Sequence, residues 1–407
     1  MTYMCFKNTL LFVVCASFLA CDAKETSSSI ASSNKASDSL VLGIQQIPKI
    51  LSFIGDKKTA IVGNQTSIIP LRGRNVHLVD TLLAHQVNLV KVFAPEHGFR
   101  GKADAGEQVK DDIDTRTGLP IISLYGKQKK PSTEHLKNVE LVIFDIQDVG
   151  TRFYTYISTL HYVMEACAEN NIPLLVLDRP NPNGHYIDGP ILEKKHESFV
   201  GMHPVPVVHG LSMGEYARLI NGEKWLSNEL EVNLFVMEVE NYKMGMPYAL
   251  PIPPSPNLPT DNSIMWYPSI CFFEGTNVNE GRGTDAPFEL FGSPFLDETV
   301  YGLSYVPKPN EGSKYPKHEG KICFGTDLRN TEAPNFLDLT YLIEAYQNTR
   351  NKEDFFIPFF EKLAGTSKLR QQIEVGLNAE EIRESWKDGL DNYQEIAKKY
   401  YLYSRVK

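Results

Sequence analysis

Acidic side chains that follow apolar runs are the residues of this sequence best suited to catalysis. Glu96 ends the run LVKVFAPE, where Pro95 restricts the backbone and Gly98 then allows the chain to turn away. A carboxyl that is held rigidly and partly shielded from water can donate a proton to a leaving group. We therefore predict that Glu96 is a general acid, with His97 and Arg100 close enough to orient it or to bind a substrate.

A second acid, Asp148, lies in the stretch FDIQDVGTRFYTY, where Arg152 and Tyr154 follow it. A guanidinium can bind a carboxylate through two hydrogen bonds, and a tyrosine ring can stack on the face of a sugar. This combination predicts a polar substrate pocket. The alternative is a salt bridge that joins a strand to the helix after it.

A third polar cluster is the stretch 273-FEGTNVNEGRGT-284, which is too polar for a core strand and too rich in glycine for a helix. We expect Glu274, Asn277 and Arg282 to project from a loop into a cleft between two domains. A simple glycine-rich turn is the alternative that the sequence leaves open.

Apolar runs and amphipathic segments alternate along the first half of the chain. The pattern predicts strands at 59–67, 89–96, 122–126, 141–147, 174–180 and 206–210, and helices at 75–86, 156–170 and 212–226. Short buried strands that alternate with helices are typical of an α/β fold with a doubly wound, Rossmann-like parallel sheet. Because ligands bind outside the carboxyl ends of such strands, we expect the acids at the strand ends to meet at one edge.

The proline-rich run LPIPPSPNLPTDNS, which begins at Leu250, cannot form a regular element, so we interpret it as a boundary or as a wall of the cleft. Beyond it the pattern predicts a strand at 321–328 and helices at 337–348 and 379–403. We therefore predict a Rossmann-like catalytic domain at residues 41–262 and a smaller C-terminal α/β domain at residues 263–407.

Residues 1–21, MTYMCFKNTLLFVVCASFLAC, combine one lysine, a short apolar run and a Leu-Ala-Cys ending. This order is typical of a lipoprotein signal peptide with Cys21 as the lipidated residue, although an ordinary cleaved signal peptide is the alternative. Residues 22–40 lack apolar periodicity and are interpreted as a flexible tether. We therefore expect a lipid-anchored protein of the cell envelope, either periplasmic or associated with the outer membrane.

Composition argues against several classes of partner and cofactor. The chain has 407 residues and a net charge of −9 without basic clusters, which argues against nucleic acid as a partner. No glycine-rich dinucleotide fingerprint follows the first strand, and the histidines and cysteines lack the spacing of metal ligands. We expect neither a cofactor nor a metal ion. The oligomeric state does not follow from the sequence.

A Gly-x-Ser-x-Gly motif, 210-GLSMG-214, would suit Ser212 as the nucleophile of a serine esterase. The same serine also forms a capping box with Glu215, in which both side chains bind the first N–H groups of a helix. Only His318 follows as a candidate base, and it lies inside a polar loop. The capping role is therefore favoured over the esterase.

Several long motifs, in order along the chain, resemble those of the exo-β-N-acetylmuramidases of glycoside hydrolase family 171, formerly a family of unknown function. The stretches that carry the resemblance are FAPEHGFRG (93–101), DAGE (104–107), TGLPIISLYGK (117–127), FDIQDVGTRFYTYISTL (144–160), LDRPNPNG (177–184), GMHPVPVVHGLSMGEYA (201–217), PPSPNLP (253–259) and FEGTNVNEGRGT (273–284). The resemblance implies a Rossmann-like domain, a smaller C-terminal domain and an active site between them. It also implies release of N-acetylmuramic acid from the non-reducing end of peptidoglycan fragments. A lipid-tethered sugar-binding protein without catalysis is the alternative from another class.

The resemblance assigns the family's proposed catalytic glutamate to Glu96. Glycosidases usually pair such an acid with a second carboxylate, for which Asp148 and Glu274 compete, and the acetamido group of the sugar is a third candidate. The lactyl carboxylate of muramic acid requires a cation or N–H donors, and Arg152 and Arg282 are the candidates. Further contacts to the substrate are expected from His97, Arg100, Tyr154, Asn257 and Asn277.

Overall fold

A seven-stranded sheet forms the centre of the structure, a computed structural model that describes residues 39–71, 73–96, 98–100 and 111–406. The strands of the chain are β1 (Thr59–Gly63), β2 (Ile68–Leu71), β3 (Arg74–His77), β4 (Leu89–Ala94), β5 (Asp112–Ile113), β6 (Pro120–Ser123), β7 (Leu141–Asp145), β8 (Leu174–Leu177), β9 (Leu234–Met237), β10 (Leu290–Ser293), β11 (Leu303–Tyr305) and β12 (Cys323–Asp327). The sheet has the order β5-β6-β4-β1-β7-β8-β9. Only β5 is antiparallel to its neighbour, and the other five pairs of neighbours run parallel. The predicted parallel α/β sheet is therefore confirmed.

Side chains of the central strands alternate between two apolar clusters, one on each face of the sheet. Val62 and Phe144 lie in the first cluster, whereas their neighbours Ile61 and Ile143 lie in the second. Because helices cover both faces, these strands are apolar throughout, and every residue of β1, β7 and β8 is buried.

The part of the chain that the structure describes contains eleven α-helices. They are α1 (Ile47–Ile54), α2 (Leu78–Ala84), α3 (Thr133–Leu136), α4 (Tyr156–Glu169), α5 (Met213–Gly222), α6 (Asp261–Ile270), α7 (Thr340–Asn348), α8 (Phe359–Ala364), α9 (Lys368–Glu374), α10 (Ala379–Glu384) and α11 (Lys387–Ala397). Helices α4 and α5 contribute to the first cluster, and α1 and α2 contribute to the second. Within the described ranges, every helix is too short or too polar to span a bilayer.

The smaller, second domain contains a three-stranded antiparallel sheet of order β10-β12-β11. Phe273 and Phe291, which stack with ring centroids 4.6 Å apart, belong to the same apolar cluster as Phe144 of the large sheet. The apolar core is therefore continuous between the two domains, and residues 40–406 pack as one unit.

The last residues of the chain return to the large sheet. Tyr403 lies in the second apolar cluster, and Arg405 forms a parallel bridge with Met244. The end of the segment that was predicted to be C-terminal domain therefore packs on the first domain.

Three sequence-based assignments of secondary structure are corrected. In the predicted helix 75–86, the first residues instead form β3, which pairs with β2 before His77 caps α2. The predicted strand 206–210 makes only isolated bridges through Val208, since Pro204 and Pro206 lack the N–H groups that a ladder needs. The predicted helix 379–403 is divided into α10, α11 and a 3₁₀ turn, because the hydroxyl of Ser385 donates to the carbonyl of Ile382 where α10 ends.

Candidate active site

A cavity of about 480 Å³ lies past the carboxyl ends of β4, β6 and β7. Its walls come from both domains, so the large sheet supplies one side and the segment after α6 supplies the other. The described residues that line it are Glu96, Tyr125, Phe153, Tyr154, Thr155, Phe199, Val200, Ser255, Leu258, Tyr267, Glu274, Glu280, Arg282, Phe288, Ser313, Tyr315, Pro316, Lys317 and Phe359. Its volume is within the usual range for small-molecule sites, roughly 300–1,000 Å³.

Glu96 enters this cavity directly from the sheet. The chain turns immediately after it: Gly98 has a φ of 76°, and its N–H donates to the carbonyl of Pro95 at 3.0 Å. The half-buried Glu96 carboxylate accepts a hydrogen bond from the hydroxyl of Thr155, with 2.8 Å between Oγ1 and Oε2. The hydroxyl of Tyr125 is also hydrogen-bonded to this carboxylate. Two side chains from neighbouring elements therefore orient the acid.

Strand register explains why Tyr125 reaches Glu96. Ala94 of β4 pairs in parallel with Ser123 of β6, and Glu96 and Tyr125 each follow two residues later. Adjacent parallel strands bring equivalent positions to the same edge of the sheet. The two side chains therefore meet because of the sheet pairing.

Aromatic rings form much of the remaining wall. Tyr267 makes edge-to-face contacts with Phe153, Tyr154 and Phe288, at centroid distances of 5.4, 5.7 and 4.9 Å respectively. Burial is the main cause that raises the pKa of the phenols of Tyr125, Tyr154 and Tyr267, so these hydroxyls keep their protons at neutral pH. The cavity thus offers ring edges and faces that suit a sugar, together with hydroxyl donors.

Four charged side chains that line the cavity form a linked cluster. Arg282 donates to Glu274, with 2.7 Å between Nη2 and Oε1, and its Nε lies 3.2 Å from Oε1 of Glu280. Lys317 Nζ lies 3.0 Å from the other oxygen of Glu280 and donates to the carbonyls of Phe273 and Val278, at 2.6 Å each. The cluster thus holds two cations and two carboxyl groups.

The carboxyl groups and the guanidinium of this cluster affect each other's protonation. Burial raises the pKa of Glu274; Arg282 opposes this shift, and the nearby Glu280 reinforces it. Burial alone would lower the pKa of Arg282, but both glutamates raise it above its ordinary value. Arg282 therefore remains a cation at the cavity wall, while the pKa of Glu274 lies above its ordinary value.

Arg152 requires a correction. The sequence suggested a contact with substrate, yet the side chain is 0% exposed and does not line the cavity. Its guanidinium donates to four backbone carbonyls, those of Pro190, Val205, Leu363 and Ala364, at 2.7 to 2.9 Å. These bonds join the first domain to the last residues of α8, so Arg152 has a structural position.

Other predicted contacts also lie outside the cavity lining. Asp148 is buried, accepts from the N–H of Gly150 at 2.7 Å and does not line the cavity. Arg100 pairs with Asp114 at 2.8 Å on the far side of the turn after Glu96.

The two predicted asparagine contacts and one histidine remain. Asn257 lines a neighbouring cavity, and its amide donates to the carbonyl of Gly312. Asn277 is not a lining residue of either cavity, and its carbonyl is hydrogen-bonded to His318. His97 lies outside the described residues, and so does Cys21. Of the residues predicted from sequence, the cavity therefore brings together Glu96, Tyr154, Glu274 and Arg282.

Ser212 is not arranged as a nucleophile. It is 1% exposed, and its hydroxyl donates to Oδ2 of Asp178 at 2.6 Å and accepts from the N–H of Glu215 at 3.2 Å. The Glu215 carboxylate accepts the N–H of Ser212 in return, which completes the predicted capping box at α5. The hydroxyl proton is thus directed to a carboxylate instead of a histidine, which argues against the esterase.

Sequence reasoning missed eight polar residues of the cavity: Tyr125, Thr155, Ser255, Tyr267, Glu280, Ser313, Tyr315 and Lys317. A signal for Tyr125 was present, since it lies near the end of the predicted strand 122–126, as Glu96 lies at the end of the predicted strand 89–96. Thr155 and Glu280 lie inside motifs that were singled out for other residues. Lys317 lies in a polar loop without any pattern. Within the described ranges, no three metal-ligating side chains come together as a metal site would require.

Comparison with known proteins agrees with this architecture. Residues 59–262 match the family model described as exo-beta-N-acetylmuramidase NamZ, N-terminal, and residues 265–403 match its C-terminal counterpart. Peptidoglycan beta-N-acetylmuramidase NamZ of Bacillus subtilis (strain 168) is 41% identical over 382 residues, which cover 86% of this chain and 90% of that protein.

Two solved structures have the same fold. Both are DUF1343 family proteins from Bacteroides fragilis NCTC 9343. The first is 42% identical, with a TM-score of 0.82 over 90% of this chain and 100% of the other. The second is 28% identical, with a TM-score of 0.74 over 90% and 99% of the two chains. On the family models and this identity, the chain belongs to the NamZ family of exo-β-N-acetylmuramidases.

Proposed function

We propose that this protein is an exo-acting glycosidase that releases N-acetylmuramic acid from the non-reducing end of peptidoglycan fragments, with Glu96 as the proton donor. The observation that carries this proposal is that Glu96 and the cations Arg282 and Lys317 line the same aromatic-walled cavity. Such a cavity can hold a sugar between rings, protonate its leaving oxygen and bind its carboxylate. The name of the Bacillus relative supports the substrate class.

Proton transfer is assigned to Glu96 because of how it is held. Thr155 and Tyr125 each form a hydrogen bond with the carboxyl group of Glu96, and these two contacts fix its orientation in the cavity. A positioned acid contributes about 10²–10⁴-fold to a reaction whose leaving group needs a proton. Glu96 would protonate the glycosidic oxygen as the bond to C1 breaks.

Glu274 is favoured over Asp148 as the second carboxylate, because Glu274 lines the cavity and Asp148 does not. Glycosidases use such a group as nucleophile or base, and the acetamido group of the sugar replaces it in substrate-assisted enzymes. In the second case Glu274 would orient the acetamido group. Both roles require Glu274 to remain beside Arg282, which favours its charged form.

The lactyl carboxylate is assigned to the Arg282–Lys317 side of the cavity. N-acetylglucosamine lacks this group, so a site that prefers muramic acid needs a cation there. Arg282 lies at the wall with 19% of its side chain exposed, and its guanidinium is 5.2 Å from the ring of Phe288. A charge-assisted hydrogen bond contributes about 1.5–3 kcal/mol.

Replacement of Glu96 with glutamine tests the assignment of the acid. The amide keeps the shape but cannot donate the proton, so we expect turnover of muramyl-N-acetylglucosamine to fall by about 10²–10⁴-fold. A nitrophenyl muramide, whose leaving group needs little protonation, should lose less. Asp148→Asn, which changes a buried acid outside the cavity, is the matched control and should stay near wild-type activity. Near wild-type turnover of the disaccharide by the Glu96→Gln enzyme would rule out the role.

We propose in addition that the protein is anchored to the cell envelope by lipid at Cys21. The support is the sequence order of apolar run, Leu-Ala-Cys and polar tether. Cys21→Ser should move the protein from the membrane fraction to the soluble periplasmic fraction, with specific activity retained. Membrane association that is unchanged in the variant would contradict the anchor.

A further inference from the structure

A second cavity, of about 460 Å³, adjoins the one that contains Glu96. Ser255 lines both cavities. Three segments of the chain contribute residues to both cavities: 253–259, 282–288 and 311–316. The two cavities therefore share these segments as a common wall. A ligand that extends out of the first cavity along these segments would enter the second.

Hydrogen bonds between the wall segments hold this second cavity in shape. The amide of Asn257 donates to the carbonyl of Gly312, and the amide of Asn310 donates to the carbonyl of Thr284 at 2.9 Å. Gln65, from the turn after β1, donates to the carbonyl of Pro254 at 2.9 Å. The cavity is therefore built before any ligand arrives, which lowers the ordering cost of binding.

The charge of the second cavity differs from that of the first. Its polar side chains are amides, hydroxyls and two exposed carboxylates, Asp285 and Glu311, and four prolines supply apolar surface. None of the described residues that line it is a lysine or an arginine. The first cavity, in contrast, contains the cations Arg282 and Lys317 beside the carboxyl groups of Glu96, Glu274 and Glu280.

We infer that the second cavity binds the sugar on the reducing side of the scissile bond, and that it selects a neutral or cationic amino sugar over an anionic one. The inference rests on the proposed function, because it takes the first cavity as the muramyl site. Amides and hydroxyls can hydrogen-bond the hydroxyl and acetamido groups of a neutral sugar, and the proline rings can pack on its apolar face. Asp285 and Glu311 disfavour an added anion.

This asymmetry orients the substrate. A disaccharide with one carboxylate-bearing sugar and one neutral sugar places its anion beside Arg282 and its neutral unit beside Asp285. The reverse orientation would bring the anion to Asp285 and Glu311, which disfavour it. The muramyl unit is therefore directed to the end of the site that contains Glu96.

Three disaccharides test the inference, each with muramic acid on the non-reducing side. Their reducing-side sugars are N-acetylglucosamine, glucosamine at mildly acidic pH, where its amine is protonated, and N-acetylglucosamine 6-phosphate. We expect the full-length wild-type enzyme to show the lowest kcat/KM with the phosphorylated sugar. In the double variant Asp285→Lys/Glu311→Lys, the ratio of kcat/KM for the cationic over the anionic aglycone should fall by at least about fivefold at low ionic strength, and added salt should reduce the effect.

A matched control separates a local from a global effect of charge. The double variant Glu384→Lys/Glu395→Lys changes the net charge equally, at side chains that are each 73% exposed and line neither cavity. Its ratio should equal that of the wild type. An unchanged ratio in Asp285→Lys/Glu311→Lys, with turnover retained, overturns the inference alone. Absence of wild-type turnover with all three disaccharides would overturn the proposed function together with it.

Discussion

Arg282 and Arg152 show how the environment decides what one type of side chain does. Both lie in polar motifs near an acid, and the sequence offered both as ligands for a carboxylate. In the structure, Arg282 lies at the cavity wall and binds Glu274, whereas Arg152 is fully buried and binds four backbone carbonyls. Only the first is positioned to meet a substrate.

Variants of the two arginines should therefore lose different properties, substrate preference for Arg282 and stability for Arg152. Arg282→Lys keeps a cation beside Glu274 but loses the planar fork, so the preference for muramyl over glucosaminyl substrates should fall about ten- to a hundred-fold in kcat/KM. Arg152→Lys should keep the preference and lower the free energy of unfolding by about 1–3 kcal/mol, because buried carbonyls lose their donors. Kinetics with both substrates and chemical denaturation measure the two effects. If the preference for muramyl substrates depended on Arg152 and not on Arg282, Arg152 would be the residue that binds the lactyl carboxylate.

At the scale of elements, the start of α5 shows a catalytic motif used as a helix cap. Ser212 binds the N–H of Glu215, and Glu215 binds the N–H of Ser212. The same hydroxyl also donates to Asp178, at the end of β8. The glycine at position 214 lets the helix approach that carboxyl closely, because an added Cβ would lie 2.8 Å from Oδ2 of Asp178.

Ser212→Ala should therefore cost stability and leave catalysis intact. Loss of a cap costs about 0.5–2 kcal/mol, and the buried Asp178 loses a donor in addition. We expect the free energy of unfolding to fall by about 1–3 kcal/mol, with kcat on the muramyl disaccharide unchanged. Thr260→Ala, which removes the cap of α6 without a buried carboxyl behind it, is the matched control and should cost less. Abolished activity in a folded Ser212→Ala protein would support the alternative hypothesis that Ser212 is the nucleophile of an esterase.

At the scale of the whole molecule, Asp178 links three distant parts of the chain. Its carboxyl accepts from Ser212 and Gly214 of the α5 start and from the hydroxyl of Tyr403 near the C-terminus, at 2.6 to 2.8 Å. Glu215 extends the link, since it accepts from the N–H of Leu402 and pairs with Arg405 at 2.8 Å. The end of the chain is therefore attached to the large sheet by buried polar contacts.

This link predicts a dependence of stability on pH. Burial raises the pKa of Asp178 from 3.8 to about 6, against the hydrogen bonds that lower it. Between these values the native state keeps a proton that the unfolded chain releases. The stabilising contribution of the protonated form is thus fully present below about pH 3.8 and is lost as the pH rises through about 6.

Asp178→Asn cannot titrate and gives the reference for this effect. The free energy of unfolding of the wild type, minus that of the variant, should decrease by about 2 kcal/mol between about pH 4 and pH 7. Any change in the free energy of unfolding that the asparagine causes independently of pH cancels in this comparison. Denaturant unfolding at a series of pH values measures it, and parallel curves for the two proteins would show that Asp178 does not titrate in this range.

The local sequence pattern predicted five strands of the large sheet, β1, β4, β6, β7 and β8, and placed Glu96 at the end of β4. Strands β1, β7 and β8 are almost continuous apolar runs because both faces of the sheet are covered, so the local sequence itself indicates their burial. The edge strand β9 escaped detection, since its residues are only partly buried and its pattern is weak. The end of β4 likewise indicated where Glu96 would lie.

Only the tertiary structure decided which polar residues share the cavity. Tyr125 reaches Glu96 through the pairing of β4 with β6. Packing of the second domain brings Glu274, Glu280 and Arg282 to the same cavity. Arg152, although close to Asp148 in sequence, points into the core. The physical reason is that local periodicity reports whether a residue is buried, whereas the direction of a side chain beyond a strand end depends on contacts between segments far apart in the chain.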